Sequence, residues 1–185
     1  AVTVDDFVAT FPSGWSLAIG PVGDLSNNRL QAIWIAYKTS DGSETTVSPT
    51  IKVGTADFQN GFLTLAEYTT TGTPAVDVIS TATLNGPSNT GNLTSIIPTA
   101  GQAALIVQGL GHEPNYVASL SAGWNNRTEF TTGGERQAIA LVDQIASSTS
   151  GSYSGTASVA GLGESNWFSP VAVFSASGDT PTTGQ

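Results

Sequence analysis

The side chains that could carry out catalysis are few in this chain. His112 is its single histidine, set in the run GLGHEP, and one histidine cannot ligate a metal beside others of its kind and also act as a base. Serines are abundant, but the nucleophile elbow G-x-S-x-G does not occur. The nearest string, GSYSG at residues 151–155, has Tyr153 at the nucleophile position. We therefore expect His112 in a structural loop and residues 151–155 in a turn that leads into a strand.

Carboxylates offer a second kind of chemistry, because glycoside hydrolysis needs two of them facing each other across the substrate. The candidates in or near predicted strands are Glu67, Asp77, Glu129 and Asp143. The sequence does not show whether any two of them face one another, and a carboxylate in a β-sandwich is more often hydrogen-bonded than catalytic. We predict a protein that is not an enzyme, with a small glycoside hydrolase as an alternative.

Short acidic loops are the candidates for a metal ion. Clustered oxygens of the kind that calcium prefers occur at residues 5–6 (DD), 24–28 (DLSNN) and 41–44 (DGSE), but none has the spacing of an EF-hand. Thiolate sites are excluded because the chain has no cysteine. We predict no cofactor, with a structural cation such as calcium as the alternative.

Aromatic side chains are the stronger lead to a binding surface, since flat amphipathic rings meet both sugars and protein partners. Trp124 is followed by Asn125, Asn126 and Arg127, which combines a stacking group with hydrogen-bond donors. We predict that Trp124, Asn125 and Arg127 contact a glycan or a neighbouring subunit, the alternative being an ordinary loop anchor. Trp34 and Trp167 are expected to pack inside the fold.

Charge excludes two classes of partner. The five cations are scattered among fourteen carboxylates, for a formal net charge of -9, so no basic stripe exists to displace counterions from a nucleic acid. An anionic membrane surface is disfavoured for the same reason, and no apolar run approaches the ~20 residues of a membrane span. We predict neither a nucleic-acid nor a membrane partner.

The elements that must position these residues are predicted to be strands. Apolar residues alternate with small polar ones in runs bounded by Gly, Asn, Pro or Asp. The clearest runs are residues 30–38, 45–53, 62–69, 75–83, 103–109, 116–122, 136–145 and 168–176. In the first run both faces carry apolar side chains, which indicates a strand covered on both sides. Residues 134–147 also fit a helical spacing, and we favour a strand because the neighbouring runs are all β.

Turn and loop signals separate these runs. Tight turns are predicted at Asp41-Gly42 and Asn60-Gly61, and further turns at Asn85-Gly86 and Gly133-Gly134. Longer loops are expected over residues 20–29, 85–99 and 109–115.

With about eight to ten strands and no alternating helices, the predicted fold class is all-β, an antiparallel two-sheet β-sandwich that is jelly-roll-like. An immunoglobulin-like sandwich is the alternative, weakened by the missing cysteine pair. We expect residues 1–29 to form an N-terminal arm or the first strands, residues 30–176 the sandwich domain, and residues 177–185 a flexible C-terminal tail.

Four segments carry a resemblance to a known kind of module. In order they are residues 63–72 (LTLAEYTTTG), 103–109 (AALIVQG), 136–147 leading into 151–158 (GSYSGTAS), and 165–176 (SNWFSPVAVFSA). Their order resembles that of the jelly-roll-like β-sandwich module of bacteriophage virion proteins, which also occurs in some secreted bacterial proteins. The resemblance spans roughly residues 30–176 and transfers no site residues.

That resemblance implies a non-enzymatic structural protein at the virion surface, acting as a capsid-decoration protein or as a component of the tail or its fibres. Its partners would be capsid or tail proteins and copies of itself. The alternative is an extracellular carbohydrate-binding or adhesin module whose ligands are surface glycans.

Overall fold

The computed structural model describes residues 3, 6–26, 29–44, 46–53, 56–57, 63–70, 72–80, 85–99, 103–112, 117–131, 138–146, 151–159, 165–175 and 182–183. The strands in this part of the chain are β1 (Phe7–Thr10), β2 (Ser16–Ser26), β3 (Arg29–Tyr37), β4 (Thr50–Val53), β5 (Ala56–Asp57), β6 (Tyr68–Thr69), β7 (Ala75–Ser80), β8 (Asn85–Ser88), β9 (Thr90–Ile96), β10 (Ala104–His112), β11 (Val117–Leu120), β12 (Asn125–Thr131), β13 (Ala138–Ala146), β14 (Tyr153–Val159), β15 (Ser165–Trp167), β16 (Val171–Ser175) and β17 (Thr182–Thr183).

Two antiparallel sheets pack face to face and enclose the main core. One has five strands in the order β12-β13-β10-β16-β7, and the other has three in the order β11-β14-β9. Strand alternation directs every second side chain inward. The core cluster consists of Leu93, Ile96, Ala104, Ile106, Leu110, Trp124, Ala140, Val142, Ala146, Ala157, Val159, Trp167, Val171 and Val173. The prediction of an all-β antiparallel sandwich is confirmed.

A glycine on β9 makes room for the largest of these side chains. Trp167 is 1% exposed. A Cβ at position 91 would lie only 2.4 Å from Cδ2 of its indole ring. Gly91 therefore allows the ring to approach the sheet closely, which any larger residue would prevent. Trp167 lies in the core as the sequence predicted.

The second face of the five-stranded sheet is covered by the β2–β3 hairpin. Ile33 packs on the backbone of Gly109 in β10, and the Tyr37 ring meets the Phe174 ring of β16 edge-on, with centroids 5.2 Å apart. On the other side of β3, the half-buried Trp34 contacts Phe7, with centroids 6.2 Å apart. The strand β3 is thus covered on both faces, as its two apolar faces predicted.

Phe7 belongs to a separate three-stranded sheet of order β1-β4-β5. Two-stranded ladders join β15 with β8 and β17 with β6, and a single bridge joins Gly111 to Phe168. In the described residues no helix has the length and apolar character needed to cross a membrane.

Each edge strand of the two packed sheets has an irregular register. The shift leaves Arg127 unpaired in β12 and Asp77 unpaired in β7. Both β11 and β9 also shift against the central β14. Inside the five-stranded sheet, in contrast, β10 pairs with β13 and with β16 without a shift. Irregularities of this kind at an edge disfavour the addition of a further strand.

Several predicted loops are strands. Residues 20–26 belong to β2, residues 85–88 and 90–96 form β8 and β9, and β10 continues through His112. The expected turn at Asn85-Gly86 and the expected loop around His112 are therefore wrong. Each of these segments is rich in Gly, Asn or Pro, which the sequence analysis interpreted as loop punctuation.

Other local predictions have mixed outcomes. Residues 138–146 form strand β13, so the strand interpretation is confirmed and the helical alternative is wrong. Gly42 has a φ of 80, as expected for a tight turn at Asp41-Gly42. The turns predicted at Asn60-Gly61 and Gly133-Gly134 lie outside the described residues.

The predicted ends of the chain also contain strands. Described residues before position 27 include the strands β1 and β2. Within residues 177–185, where a tail was expected, Thr182 and Thr183 pair with Thr69 and Tyr68.

Candidate functional site

The structure places Trp124 in the core, with only 7% of the residue exposed. Its indole Nε1 donates to the carbonyl of Ser154 at 3.4 Å, and the same atom lies 3.0 Å from the position that a Cβ on Gly155 would take. The ring thus packs between the two sheets, and its face does not form a stacking platform at the surface.

Asn125 and Arg127 lie together on the neighbouring strand β12, and both are exposed. Asn125 pairs with Asp143 of β13, so their side chains point to the same face of the sheet. Arg127 stands two residues after Asn125, so the alternation of the strand directs its side chain to that face as well. Both predicted binding residues therefore converge on Asp143.

Asp143 is the centre of this cluster, and it is 0% exposed. Its Oδ2 accepts hydrogen bonds from Tyr68 Oη at 2.6 Å and from Arg127 Nε at 2.5 Å. Its Oδ1 accepts from Arg127 Nη2 and Asn125 Nδ2, both at 3.1 Å. Four donors thus satisfy both oxygens of a buried carboxylate, which is the condition for tolerating its charge.

The charges in the cluster shift two proton equilibria. Burial raises the pKa of Tyr68 well above its ordinary value, and the hydrogen bond to Asp143 acts in the same direction. The bond to Asp143 also raises the pKa of Arg127. Tyr68 therefore stays a neutral donor and Arg127 a cation at all ordinary pH values.

This arrangement is better suited to donating hydrogen bonds to a bound molecule than to transferring protons in a reaction. Asp143 has its lone pairs engaged, whereas the Arg127 side chain is 31% exposed and uses only its Nε and Nη2 groups on Asp143. The carboxylate orients the guanidinium and also binds the Asn125 amide on the same face, whereas Asn126 pairs with Val142 and donates to Glu129 on the other face. Such a set of oriented donors suits acceptor oxygens of a ligand or a partner chain.

Two of the other candidate carboxylates, Glu129 and Asp77, also accept hydrogen bonds. Glu129 accepts the backbone N–H of Val117 at 2.7 Å, which links β12 to the first residue of β11. Asp77 accepts the backbone N–H of Thr99 at 2.8 Å and its hydroxyl as well. Glu67 is exposed. Asp143, Glu129 and Asp77 thus each connect separate segments of the fold.

The acidic loop at residues 41–44 folds on itself. Asp41 Oδ1 accepts the backbone N–H of Ser43 at 2.9 Å, and Glu44 pairs with Lys38 at 2.5 Å. Bonds from Lys38 and then Ser40 lower the pKa of Glu44 to about 2. Across the part of the chain that the structure describes, no group of three or more His, Cys, Asp or Glu residues could hold a metal ion. Residues 5, 27 and 28 of the other acidic loops lie outside that part.

A second buried polar cluster was not predicted. Gln108 is 0% exposed, and its amide exchanges two 3.0 Å hydrogen bonds with the backbone N–H and C=O of Thr94. Ser169 donates its hydroxyl to Gln108 Oε1 and accepts that of Thr94 at its carbonyl. The cluster joins β10 to β9 and to the segment before β16. A signal was present, because Gln108 stands alone at the end of an apolar run (AALIVQ).

The outer face of the three-stranded sheet carries hydroxyl groups. Ser119 bonds Ser158 at 2.7 Å, Ser121 bonds Thr156 at 3.1 Å, and Ser95 bonds Ser152 at 2.5 Å. These pairs crosslink neighbouring strands with uncharged groups.

Comparison of the chain with protein-family models, with curated proteins and with solved structures found no match.

Proposed function

We propose that this chain is a virion structural protein that acts by assembly on the particle surface, as a capsid-decoration protein or a component of the tail or its fibres. Its partners in this proposal are capsid or tail proteins and copies of itself, and no catalysis is involved. The proposal begins from the order of strand segments that resembles the jelly-roll-like modules of such proteins, and surface features of the structure support it.

The observation that carries the proposal is a pair of outward leucines. In the extended segment 63–67, Leu63 is 53% exposed and Leu65 is 59% exposed, while the alternate residues Thr64 and Ala66 are half-buried. Two large apolar side chains on one side of an extended segment favour contact with another protein.

The same segment is fixed at its end by the buried cluster. Tyr68 donates to Asp143, and β6 pairs with β17. A segment held at a fixed position loses less conformational entropy on binding than a free loop, so its leucines can contribute more to affinity.

Surface composition supports a role at high copy number. The hydroxyl pairs outside the three-stranded sheet are uncharged, and the whole chain has a formal net charge of -9. Net charge of one sign opposes nonspecific association, so contacts are restricted to particular surfaces.

The test is attachment to particles. The purified chain is mixed with empty capsids or isolated tails and sedimented, and the bound fraction is compared for wild type and the double variant Leu63→Ser, Leu65→Ser. We expect the double variant to lose most of its attachment. Ile97→Ser, at a residue 62% exposed elsewhere on the surface, is the matched control and should bind like wild type. No attachment of the wild-type chain to any particle would refute the proposal.

A carbohydrate-binding module is the second candidate, favoured by the oriented donors of Asn125 and Arg127. Because Trp124 is buried, recognition would depend on hydrogen bonds alone. Titration of soluble polysaccharides against wild type and Arg127→Lys distinguishes this candidate, since lysine keeps the charge but not the two-point contact with Asp143. Saturable binding that weakens in the variant would favour the glycan role over particle attachment.

A further inference from the structure

The strand β17 is attached to the fold through a short ladder. Thr182 pairs with Thr69 and Thr183 with Tyr68, both antiparallel, and each of the two strands has only two residues. Among the described strands, β17 pairs with β6 and with no other. Because a ladder of this length contributes few hydrogen bonds, β17 can separate from β6 at a small cost in free energy.

The other strand of this ladder is held in place independently of β17. Tyr68 of β6 is half-buried and donates its hydroxyl to Oδ2 of the buried Asp143 at 2.6 Å. Thr64 and Ala66, which precede it on the same side of the segment, are half-buried as well. If β17 leaves, β6 therefore stays anchored to β13 and can receive another strand of the same sequence.

The strand at the opposite end of the described chain is attached more firmly. The strand β1 pairs with β4 over four residues, and its Phe7 is 4% exposed and contacts Trp34. Displacement of β1 would expose that ring. Residues 176–185 (ASGDTPTTGQ) contain no aromatic or long apolar side chain, so displacement of β17 carries no such cost.

We propose that copies of the chain exchange β17, so that β17 of one copy pairs with β6 of a neighbouring copy in the register seen within a single chain. Exchange of an identical element reuses contacts that the fold already contains, which makes it a low-cost route to assembly. This inference rests on the proposed function, because it names a link by which copies would be joined on the particle surface.

The connection that precedes β17 is long enough for this exchange. From Ser175, the last residue of β16, the chain advances seven residues to Thr182 (182 − 175). At ~3.3–3.6 Å per residue this stretch spans at most about 25 Å. Two copies can therefore exchange the strand when β16 of one lies within that distance of β6 of the other.

Concentration decides whether β17 stays on its own copy. A short link gives β17 an effective concentration of ~mM at its own β6, so the unexchanged form dominates in dilute solution. On a surface packed with copies, neighbouring β17 strands reach comparable concentrations and exchange becomes competitive. The resulting contact is head-to-tail, because β17 and β6 are different surfaces, and it can join copies in a ring or in a row.

The test traps the exchanged form with disulfides, since the chain has no cysteine of its own. Chains with Thr69→Cys are mixed at high concentration with chains with Thr182→Cys in a glutathione redox buffer. The matched control is a mixture of Thr10→Cys and Thr50→Cys chains, whose positions are also paired threonines but belong to the ladder between β1 and β4. We expect the mixed disulfide between positions 69 and 182 to form at least about fivefold faster than that between positions 10 and 50.

The double variant Thr69→Cys, Thr182→Cys tests the same contact within one chain. Oxidation at low concentration should give closed monomers, and the share of linked multimers should rise as the concentration increases. Equal rates for the two mixtures, closed monomers at every concentration, or no crosslink between positions 69 and 182 would overturn the exchange. If the wild-type chain still attached to capsids in such a case, the proposed function would stand without it. Exchange without attachment to any particle would instead refute the proposed function alone.

Discussion

Gln108 and Asp143 are buried polar side chains on opposite faces of the five-stranded sheet, and they are hydrogen-bonded in different ways. Gln108 binds backbone groups of Thr94, whereas Asp143 binds side-chain donors. Gln108 points toward the three-stranded sheet, and Asp143 points toward the segment that contains Tyr68. Since Gln108 pairs with Val142 and Val107 with Asp143, the two groups lie one row apart on neighbouring strands and point to opposite faces. Each connects the central sheet to the layer that covers it.

The neutral group fits a fully enclosed position. The Nε2 and Oε1 groups of Gln108 match the backbone C=O and N–H of Thr94 as a neighbouring strand would, and Oε1 also accepts the Ser169 hydroxyl. The ionised group needs more donors, and one of them, Arg127, reaches solvent. The comparison indicates that a charge is kept on the face where its counterion can stay partly hydrated, and that this face is where the candidate site lies.

The largest effect is expected from Asp143→Ala, which leaves Arg127, Tyr68 and Asn125 without their acceptor. Arg127 can be hydrated at the surface, but the bonds that Tyr68 and Asn125 donate to the charged carboxylate contribute about 1.5–3 kcal/mol each, so the expected loss is about 3–5 kcal/mol of unfolding free energy. Urea denaturation followed by tryptophan fluorescence measures it. Asp143→Asn keeps the shape but turns an amide donor toward other donors, and should fall between wild type and Asp143→Ala. Asp41→Asn, in the exposed loop, is the control; an equal loss there would contradict the assigned role of burial.

A somewhat smaller loss is expected from Gln108→Leu. The apolar side chain fills similar space but leaves the N–H and C=O of Thr94 without partners, at about 2–3 kcal/mol. Hydrogen exchange at the Thr94 amide should accelerate more than at Leu93. If Gln108→Leu were as stable as wild type, the amide pair would contribute no net stability, and the comparison between the faces would fail.

The next largest loss of stability is expected from Tyr68→Phe, which removes the hydrogen bond to Asp143 but keeps the ion pair between Asp143 and Arg127. Tyr68→Phe should cost about 0.5–1.5 kcal/mol near neutral pH, the usual net value of one hydrogen bond. Because the pKa of Tyr68 is raised in the folded state, the unfolded chain ionises first as the pH passes its ordinary value of 10.0. The stability advantage of wild type over Tyr68→Phe is therefore full below pH 10 and declines above it. A constant difference between pH 9 and 11 would contradict the burial of the phenol.

The smallest effect is expected from the surface pair Lys38–Glu44, whose two side chains are each 21% exposed, against 0% for the Asp143 side chain. The depressed pKa of Glu44, about 2, means that its stabilisation is present above its ordinary value of 4.5 and is lost as the pH falls toward 2. Glu44→Gln should change Tm only slightly at pH 7, because solvent screens the pair. Nuclear magnetic resonance titration of the Glu44 carboxyl checks the pKa, and a normal value would contradict the pairing.

The sequence predicts strands with apolar alternation well and strands with glycine poorly. Residues 138–146 alternate in burial over their first half and residues 104–109 are buried throughout, and both apolar runs were predicted as strands. The strand β9 was missed because Gly91 and Asn92 resemble loop residues, although Gly91 is required by the ring of Trp167. A requirement set by a residue 76 positions later in the chain (167 − 91) leaves no local pattern.

The candidate site, too, was predicted only in part from the sequence. Asn125, Arg127 and Asp143 could each be selected by residue type, but their convergence depends on the register of β12 with β13. Trp124 was interpreted as a surface group because polar residues follow it. Its direction is set by the opposite phase of the strand, which places it in the core while its neighbour Asn125 stays outside.

The strand order of the central sheet has a consequence for biosynthesis. The strand β16 lies between β10 and β7 and is the last of the five to leave the ribosome. Until residue 175 has been translated, β7 has no neighbour in its sheet. The edges of β7 and β10 that will pair with β16 keep their backbone N–H and C=O groups without strand partners. The five-stranded sheet is therefore completed late in synthesis, by pairing of strands that are distant in sequence, and such pairing is slow. Until then the exposed strand edges of one nascent chain can pair with those of other chains on the same polysome, which favours aggregation.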